Sequence, residues 1–208
     1  MIAAREAVVT LAVVLVVAYL IGSFPTSYLL VHRLTGQDIR TIGSGNPGTM
    51  NVIDSVGRRA GLVVGVIDIA KGSAAVGIAY VAGVGDVGAI TAGLAAVAGH
   101  DYSLFLRFHG GNGTAPATGA LYALSPLTGL IATTGALALS LVLNSRRAGG
   151  MIALLAFAPI AYAVGEPHTR VAGAILLVLV TMIKIGMAEG FSLSRPQQED
   201  TTPMGRGR

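Results

Sequence analysis

The sequence predicts an all-α polytopic membrane protein of about seven short transmembrane helices, with the N-terminus outside and the C-terminus cytoplasmic. Three observations predict it. The 208 residues are 53% hydrophobic and only 12% charged, with a mean hydropathy of +0.71. Glycine contributes 29 residues, far above its share in soluble proteins, and in a bilayer it is a helix-packing residue. The third observation is the distribution of arginine. With the N-terminus outside, the loops at 35–59, 106–113 and 144–150 and the tail hold Arg40, Arg58, Arg59, Arg107, Arg146, Arg147, Arg195, Arg206 and Arg208. Only Arg5 and Arg170 remain on the other side, as the positive-inside rule requires.

The first helix is placed from about Val8 to about Leu30. Its apolar start imitates a signal peptide, but the apolar character persists downstream, so it reads as a span. Pro25 lacks an N–H and is expected to bend or break its last turn. A long polar loop, 35–59, follows. The second helix, Ala60 to Ala82, carries Asp68 and Lys71 on one face at i and i+3. Charges at that depth mark function unless they snorkel to the surface as a pair. The third helix runs from about Val87 toward Phe105, with His100 and Asp101 near its end.

Two apolar pieces, Thr114–Leu124 and Leu127–Leu143, are separated at Ser125-Pro126. The first is shorter than the ~20 residues of a simple span. It is therefore a tilted or broken helix with its polar end buried in protein, or one arm of a re-entrant element. Merging the two would destroy the arginine asymmetry, so helix count and orientation support each other. Helices at Met151–Val164 and Val171–Met187 complete the set. Residues 1–190 read as one transmembrane domain and 191–208 as a polar, disordered cytoplasmic tail.

Against this background the segment Gly43–Asn51, GSGNPGTMN, stands out. Free backbone N–H groups and asparagine amides at close range suit an oxyanion, although the segment equally suits a flexible connector. A second glycine-rich loop, RFHGGNG (Arg107–Gly113), falls on the same face in this topology. With Arg40, Lys71, His100 and Arg107 nearby, the two loops make an oxyanion site. His100 beside Asp101 suits a general base or an anion ligand, or else an ordinary interfacial histidine. Asn46 and Asn51 also suit helix caps. The site requires Asn46, Lys71, His100 and Asn112 to surround one pocket.

Other chemistry is excluded. Cysteine is absent, which removes disulfides and thiolate chemistry. The basic residues form no continuous face for nucleic acid. No GxxxxGK[ST], dinucleotide fingerprint or HExxH occurs, and Ser44 sits in no GxSxG elbow. No metal or other cofactor is expected.

YLIGSFP (Tyr19–Pro25), LTGQDIRTIGSGNPGTMNV (Leu34–Val52), DIAKG (Asp68–Gly72) and GHDYSLFLRFHGGNG (Gly99–Gly113) occur in this order. In these motifs the chain resembles the seven-helix bacterial glycerol-3-phosphate acyltransferases that use acyl phosphate as donor. The resemblance covers about Tyr19 to Met187. It implies transfer of a fatty acyl group from acyl phosphate to the 1-hydroxyl of glycerol 3-phosphate in phospholipid synthesis, in a bacterial inner membrane, without metal or coenzyme A. On that analogy Ser44, Gly45, Asn46 and Asn51 bind or orient phosphate, and Arg40 and the Gly110-Gly111-Asn112-Gly113 loop of the oxyanion site read above are phosphate-binding candidates beside them. Asp68 and Lys71 support the site electrostatically and His100 lines it, so these three are the catalytic candidates.

Four departures accompany the resemblance. Asn112 stands where the family has lysine, and Asp54 where it has arginine. Arg146–Gly150 lacks the serines of the third motif, and Lys184 alone represents the basic end of the final helix. They raise two readings besides the ordinary enzyme: one with altered substrate or low activity, and a non-catalytic paralogue that binds an anionic lipid or metabolite or stabilises a membrane partner. A transporter is disfavoured because the polar loops share one face rather than meeting at the midplane.

Overall fold

The computed structural model describes residues 2–193, with side chains for 4–145 and 149–187. Among the described residues there are nine α-helices: α1 (Ile2–Ser23), α2 (Thr26–Thr35), α3 (Thr49–Ser55), α4 (Arg58–Val81), α5 (Gly85–Asp101), α6 (Thr114–Leu124), α7 (Pro126–Val142), α8 (Arg146–Ala163) and α9 (His168–Leu193). Short 3₁₀ turns lie at Ile39–Thr41 and Leu104–Leu106. Four stretches are long and apolar enough to cross a membrane: Ala4–Thr35, Arg58–Val81, Gly85–Leu106 and His168–Met187. Shorter apolar helices occupy Pro126–Val142 and Gly149–Ala163.

The expected first helix is in fact two. The chain leaves helical geometry at Phe24-Pro25 and resumes at Thr26, and helix then persists to Thr35, beyond the expected end at about Leu30. The polar loop that follows is also more ordered than its composition suggests, because α3 packs on α4 through Gly61 and Gly65. At the other terminus α9 continues through Leu193, so the first residues of the expected polar tail are helical; the remainder of the tail lies outside the described residues.

With 11 residues, α6 is about 16 Å long at 1.5 Å per residue, half the ~30 Å hydrocarbon thickness. It packs against α4, α5, α7 and α9. Pro116, Ala117, Gly119, Ala120, Leu121 and Leu124 are buried. At its start Gly113 is buried but Thr114 is exposed, so the polar end is enclosed only in part.

The interior is built from small residues. Ala75, Ala79, Ala92, Ala96, Ala117 and Ala120 are fully buried, while Val8, Val16, Val66, Leu130, Leu141 and Leu179 are exposed. This is the inverse of a soluble core and suits helices that associate by close backbone approach in lipid. Two crossings carry it. Gly72 of α4 faces the backbone of Pro116 and Ala120, while Gly119 of α6 faces that of Ile69 and Ser73. The Ser73 hydroxyl adds a 2.8 Å hydrogen bond to the Gly119 carbonyl. Gly22 of α1 and Gly99 of α5 make the same reciprocal approach, against Ala96 on one side and Tyr19 and Ser23 on the other.

A side chain at either crossing must push two helix backbones apart. Gly119→Leu is therefore expected to destabilise the protein by about 1–3 kcal/mol, visible as a lowered Tm in detergent. Gly77→Leu on the same α4 is the control, since a Cβ there meets nothing within 4 Å; equal Tm values for the two variants would refute the packing account.

Candidate active site

The site begins at the break between α1 and α2. The last carbonyls of a helix have no intrahelical donors, and Pro25 offers no N–H to replace them. Ser23 and Phe24 are left with carbonyls turned toward α4 and α5. Lys71 of α4 donates to the Phe24 carbonyl at 2.5 Å. Ser103, just beyond α5, donates its hydroxyl to the Ser23 carbonyl at 2.5 Å. The ammonium of Lys71 also lies 5.7 Å from the centroid of the Phe24 ring.

Lys71 is 5% exposed and its partner Asp68 1%, with Nζ 2.6 Å from Oδ1. The pair is thus not a snorkelling surface pair. A charge buried this deeply persists only when paired and hydrogen-bonded, and here the carboxylate and the freed carbonyl supply both. His100 comes from the end of α5, is buried, and places Nδ1 4.0 Å from the same Asp68 oxygen. Gly111 lies against the Nε2 edge of the imidazole, close enough that any Cβ would collide with it. The expected catalytic candidates Asp68, Lys71 and His100 are brought together by packing of α4 on α5.

The two glycine loops behave differently from the expectation. The N–H of Gly110 donates to the Asp101 carbonyl and that of Gly111 to the His100 carbonyl, both at 3.1 Å. They cap α5, so these amides are not free to hold an anion. Asn51 is likewise saturated. Its Oδ1 accepts from the Ser44 N–H (3.0 Å) and the Ser55 hydroxyl (3.1 Å). Its Nδ2 donates to the carbonyls of Ile39 (3.2 Å) and Ile42 (3.1 Å). Asn51 is 5% exposed, and its amide holds the loop closed from within. Gly43 and Gly45 adopt positive φ of 57° and 72°, which lets the chain fold back over that amide.

Arg40 ties the first loop to the second. It chelates Asp38 through Nε and Nη2, the latter at 2.6 Å, and donates Nη1 to the Leu106 carbonyl at 3.3 Å. Its guanidinium also lies over Tyr28, which stacks on His32. The Arg40 hydrogen bond holds the Asp38 carboxyl below its ordinary value, and the same bond raises Arg40. For a depressed carboxyl, the stabilisation is complete above the unfolded pKa and disappears as pH falls through the folded one. Amide exchange across 38–46 is therefore expected to accelerate only in acid below the ordinary carboxylate range. Arg40→Gln is expected to make it fast at neutral pH; unchanged protection in that variant would remove the clamp.

A narrow cleft with a free volume of only about 10 Å³ is lined by Ser23, Phe24, Ser27, Pro47, Asp68, Lys71, His100, Ser103, Gly110 and Gly111 among others. Ser27 donates to the Pro47 carbonyl at 2.7 Å, which brings the first loop to the rim. Ser44, Gly45, Asn46, Asn112 and Gly113 are not among the lining residues. Asn46 and Asn112 stand one residue outside it, beside Pro47 and Gly111, so the four-residue convergence is half realised. Asp54 is exposed on α3.

Ser23, Ser27, Ser103 and the Phe24 carbonyl were not among the expected site groups. The signal that pointed to them was Pro25. A second, apolar groove runs along Val17, Leu20, Ile21, Phe24, Ile67 and Phe105 and also reaches Lys71. Leu20, Phe24 and Phe105 are exposed on its walls, so it opens to the outside of the helix bundle.

Comparison with known proteins adds the family. Residues 12–188 match the family model described as glycerol-3-phosphate acyltransferase. A protein of that name from Thermus thermophilus is 41% identical over 168 residues, covering 80% of this chain and 83% of the relative. Glycerol-3-phosphate acyltransferase 2 of Moorella thermoacetica is 50% identical over 113 residues, covering 54% of this chain and 58% of the relative. Glycerol-3-phosphate acyltransferase 1 of Dehalococcoides mccartyi is 44% identical over 117 residues, covering 56% of each. The alignment thus spans little more than half the length of these last two relatives.

Among solved structures, the fold matches the crystal structure of PlsY (YgiH), an integral membrane glycerol 3-phosphate acyltransferase, in its glycerol 3-phosphate form. The TM-score is 0.78 at 28% identity, covering 88% of this chain and 92% of that one. Family model, relatives and structure agree, and the chain belongs to the glycerol-3-phosphate acyltransferase family.

Proposed function

We propose that this protein transfers a fatty acyl group from acyl phosphate to glycerol 3-phosphate, giving lysophosphatidate and inorganic phosphate in phospholipid synthesis at a bacterial inner membrane. One observation carries the reading: Lys71 lines both the polar cleft and the apolar groove. A substrate with a phosphorylated head and a hydrocarbon tail has matching places on either side of that one ammonium. The tail lies along Val17, Leu20, Ile21 and Ile67, and the reacting carbonyl reaches the cleft beside Phe24.

In the reaction an acceptor hydroxyl oxygen attacks the acyl carbonyl carbon, and the bond from that carbon to the phosphate oxygen breaks. His100 takes the hydroxyl proton, and the phosphate departs with the electron pair of the broken bond. Lys71, held by Asp68 and the Phe24 carbonyl, donates to the oxygen on which charge develops. Asn51, Arg40, Gly110 and Gly111 set the positions of the loops, while Asn46 and Asn112, next in sequence to the lining residues Pro47 and Gly111, with Ser44, Gly45 and Gly113, are the proposed phosphate contacts. The N-terminus is outside, and both loops face the cytoplasm, where a soluble acceptor arrives.

A non-catalytic paralogue has no need of a buried acid–lysine–histidine group set between a cleft and a groove, and the relatives' names give that alternative no support. Protein reconstituted in vesicles with acyl phosphate and glycerol 3-phosphate is expected to release inorganic phosphate and form lysophosphatidate in equal amounts. No product above background would overturn the assignment.

A further inference from the structure

The cleft described so far has little unbalanced positive charge. Lys71 is neutralised by Asp68 at 2.6 Å and Arg40 by Asp38 at 2.6 Å. Asn112, at the tip of the second loop, is neutral, and the Gly110 and Gly111 amides are occupied by α5 carbonyls. A substrate phosphate needs a cation from elsewhere.

The candidate is Lys184 of α9, which does not itself line the cleft. Its Nζ lies 4.2 Å from the centroid of the Tyr102 ring. Tyr102 follows His100 and Asp101 directly and precedes Ser103, which lines the cleft. The charge of Lys184 acts on both His100 and Asp101. Among the described residues no carboxylate oxygen forms an ion pair with it. Asp101 is 2% exposed and its Oδ1 has no hydrogen-bond partner, so it makes no ion pair that would hold Lys184 away from a substrate. A ring face is a weaker partner for an ammonium than a phosphoryl oxygen. Arg107, the other nearby cation, is exposed and outside the cleft lining.

We propose that Lys184 is a phosphate-positioning residue of the acyl transfer: its ammonium leaves the face of Tyr102 for a phosphoryl oxygen of the substrate and supplies the charge that Asn112 does not. The contact is a charge-assisted hydrogen bond, with no covalent bond made or broken. This rests on the acyltransferase reading above. Either substrate carries the required group, an acyl phosphate or a phosphate monoester.

The test is the rate of phosphate release by reconstituted protein, with acyl phosphate and glycerol 3-phosphate varied separately. Lys184→Met is expected to raise KM for one of them by about ten- to a hundredfold, with a smaller change in kcat. Lys184→Arg is expected to recover most of the loss, and the substrate whose KM moves is the one whose phosphate is held. Unchanged KM values for both substrates overturn the proposal. So does a KM rise in Arg107→Gln without one in Lys184→Met. Equal losses in the Met and Arg variants, accompanied by a lowered Tm, also overturn it, because that pattern belongs to packing. Wild-type protein without any product would defeat the function itself, whereas an active wild type with an indifferent Lys184→Met variant defeats only the role of Lys184.

Discussion

Lys71→Met is expected to slow acyl transfer by about a hundred- to a thousandfold and to destabilise the protein at the same time. The two losses have different origins. Stability falls by about 3–5 kcal/mol because Asp68 is left buried and unpaired, while the Phe24 carbonyl keeps only the Thr26 N–H as donor. Activity falls because the ammonium that stabilises developing charge is gone, which costs about a hundred- to a thousandfold for one preorganised donor. The double variant Asp68→Asn/Lys71→Met separates them. It removes the uncompensated charge, so Tm in detergent is expected to return most of the way toward wild type while phosphate release stays as slow as in Lys71→Met. If the double variant regains activity along with stability, Lys71 is a structural residue and the proposed chemistry is wrong.

His100→Ala is expected to show the opposite balance. The imidazole is buried but makes no hydrogen bond among the described residues; Asp68 Oδ1 lies 4.0 Å from its Nδ1. Its removal therefore leaves no unpaired ion, and Tm is expected to change far less than in Lys71→Met. In the proposed role of general base it would contribute about a hundred- to ten-thousandfold to the rate, so kcat is expected to fall by that factor with KM for both substrates nearly unchanged. His100→Gln, which keeps polarity but not basicity, is expected to remain as slow as alanine. A glutamine variant of near wild-type kcat would assign His100 to positioning instead.

The catalytic candidates were legible in the sequence for a definite reason. Asp68 and Lys71 lie within one helical turn in an otherwise apolar helix, so their pairing needs no knowledge of the rest of the chain. His100 stood out as an ionisable group at a helix end beside glycines. The roles of Asn51, Gly110 and Gly111 were not legible. A glycine N–H is available to an anion or occupied by a carbonyl according to where the chain returns, and here it returns onto the end of α5. Composition marks such a loop as rich in donors but is silent about which of them are already used.

By itself, then, the sequence determined the helical membrane fold, the order of its apolar segments, the break at Pro25, the acid–lysine pair and the family. These follow from hydropathy, helical periodicity and short motifs, all of which act within a turn or two of helix. Tertiary structure alone decided that the carbonyls freed at the break would be met by Lys71, 47 residues away, and Ser103, 80 residues away. It also decided that an apolar groove would end at the same ammonium as the polar cleft. The physical reason is the close approach of α1 to α5 and of α4 to α6 through paired glycines. Those crossings fix which distant groups come within hydrogen-bonding range, and no local pattern encodes them.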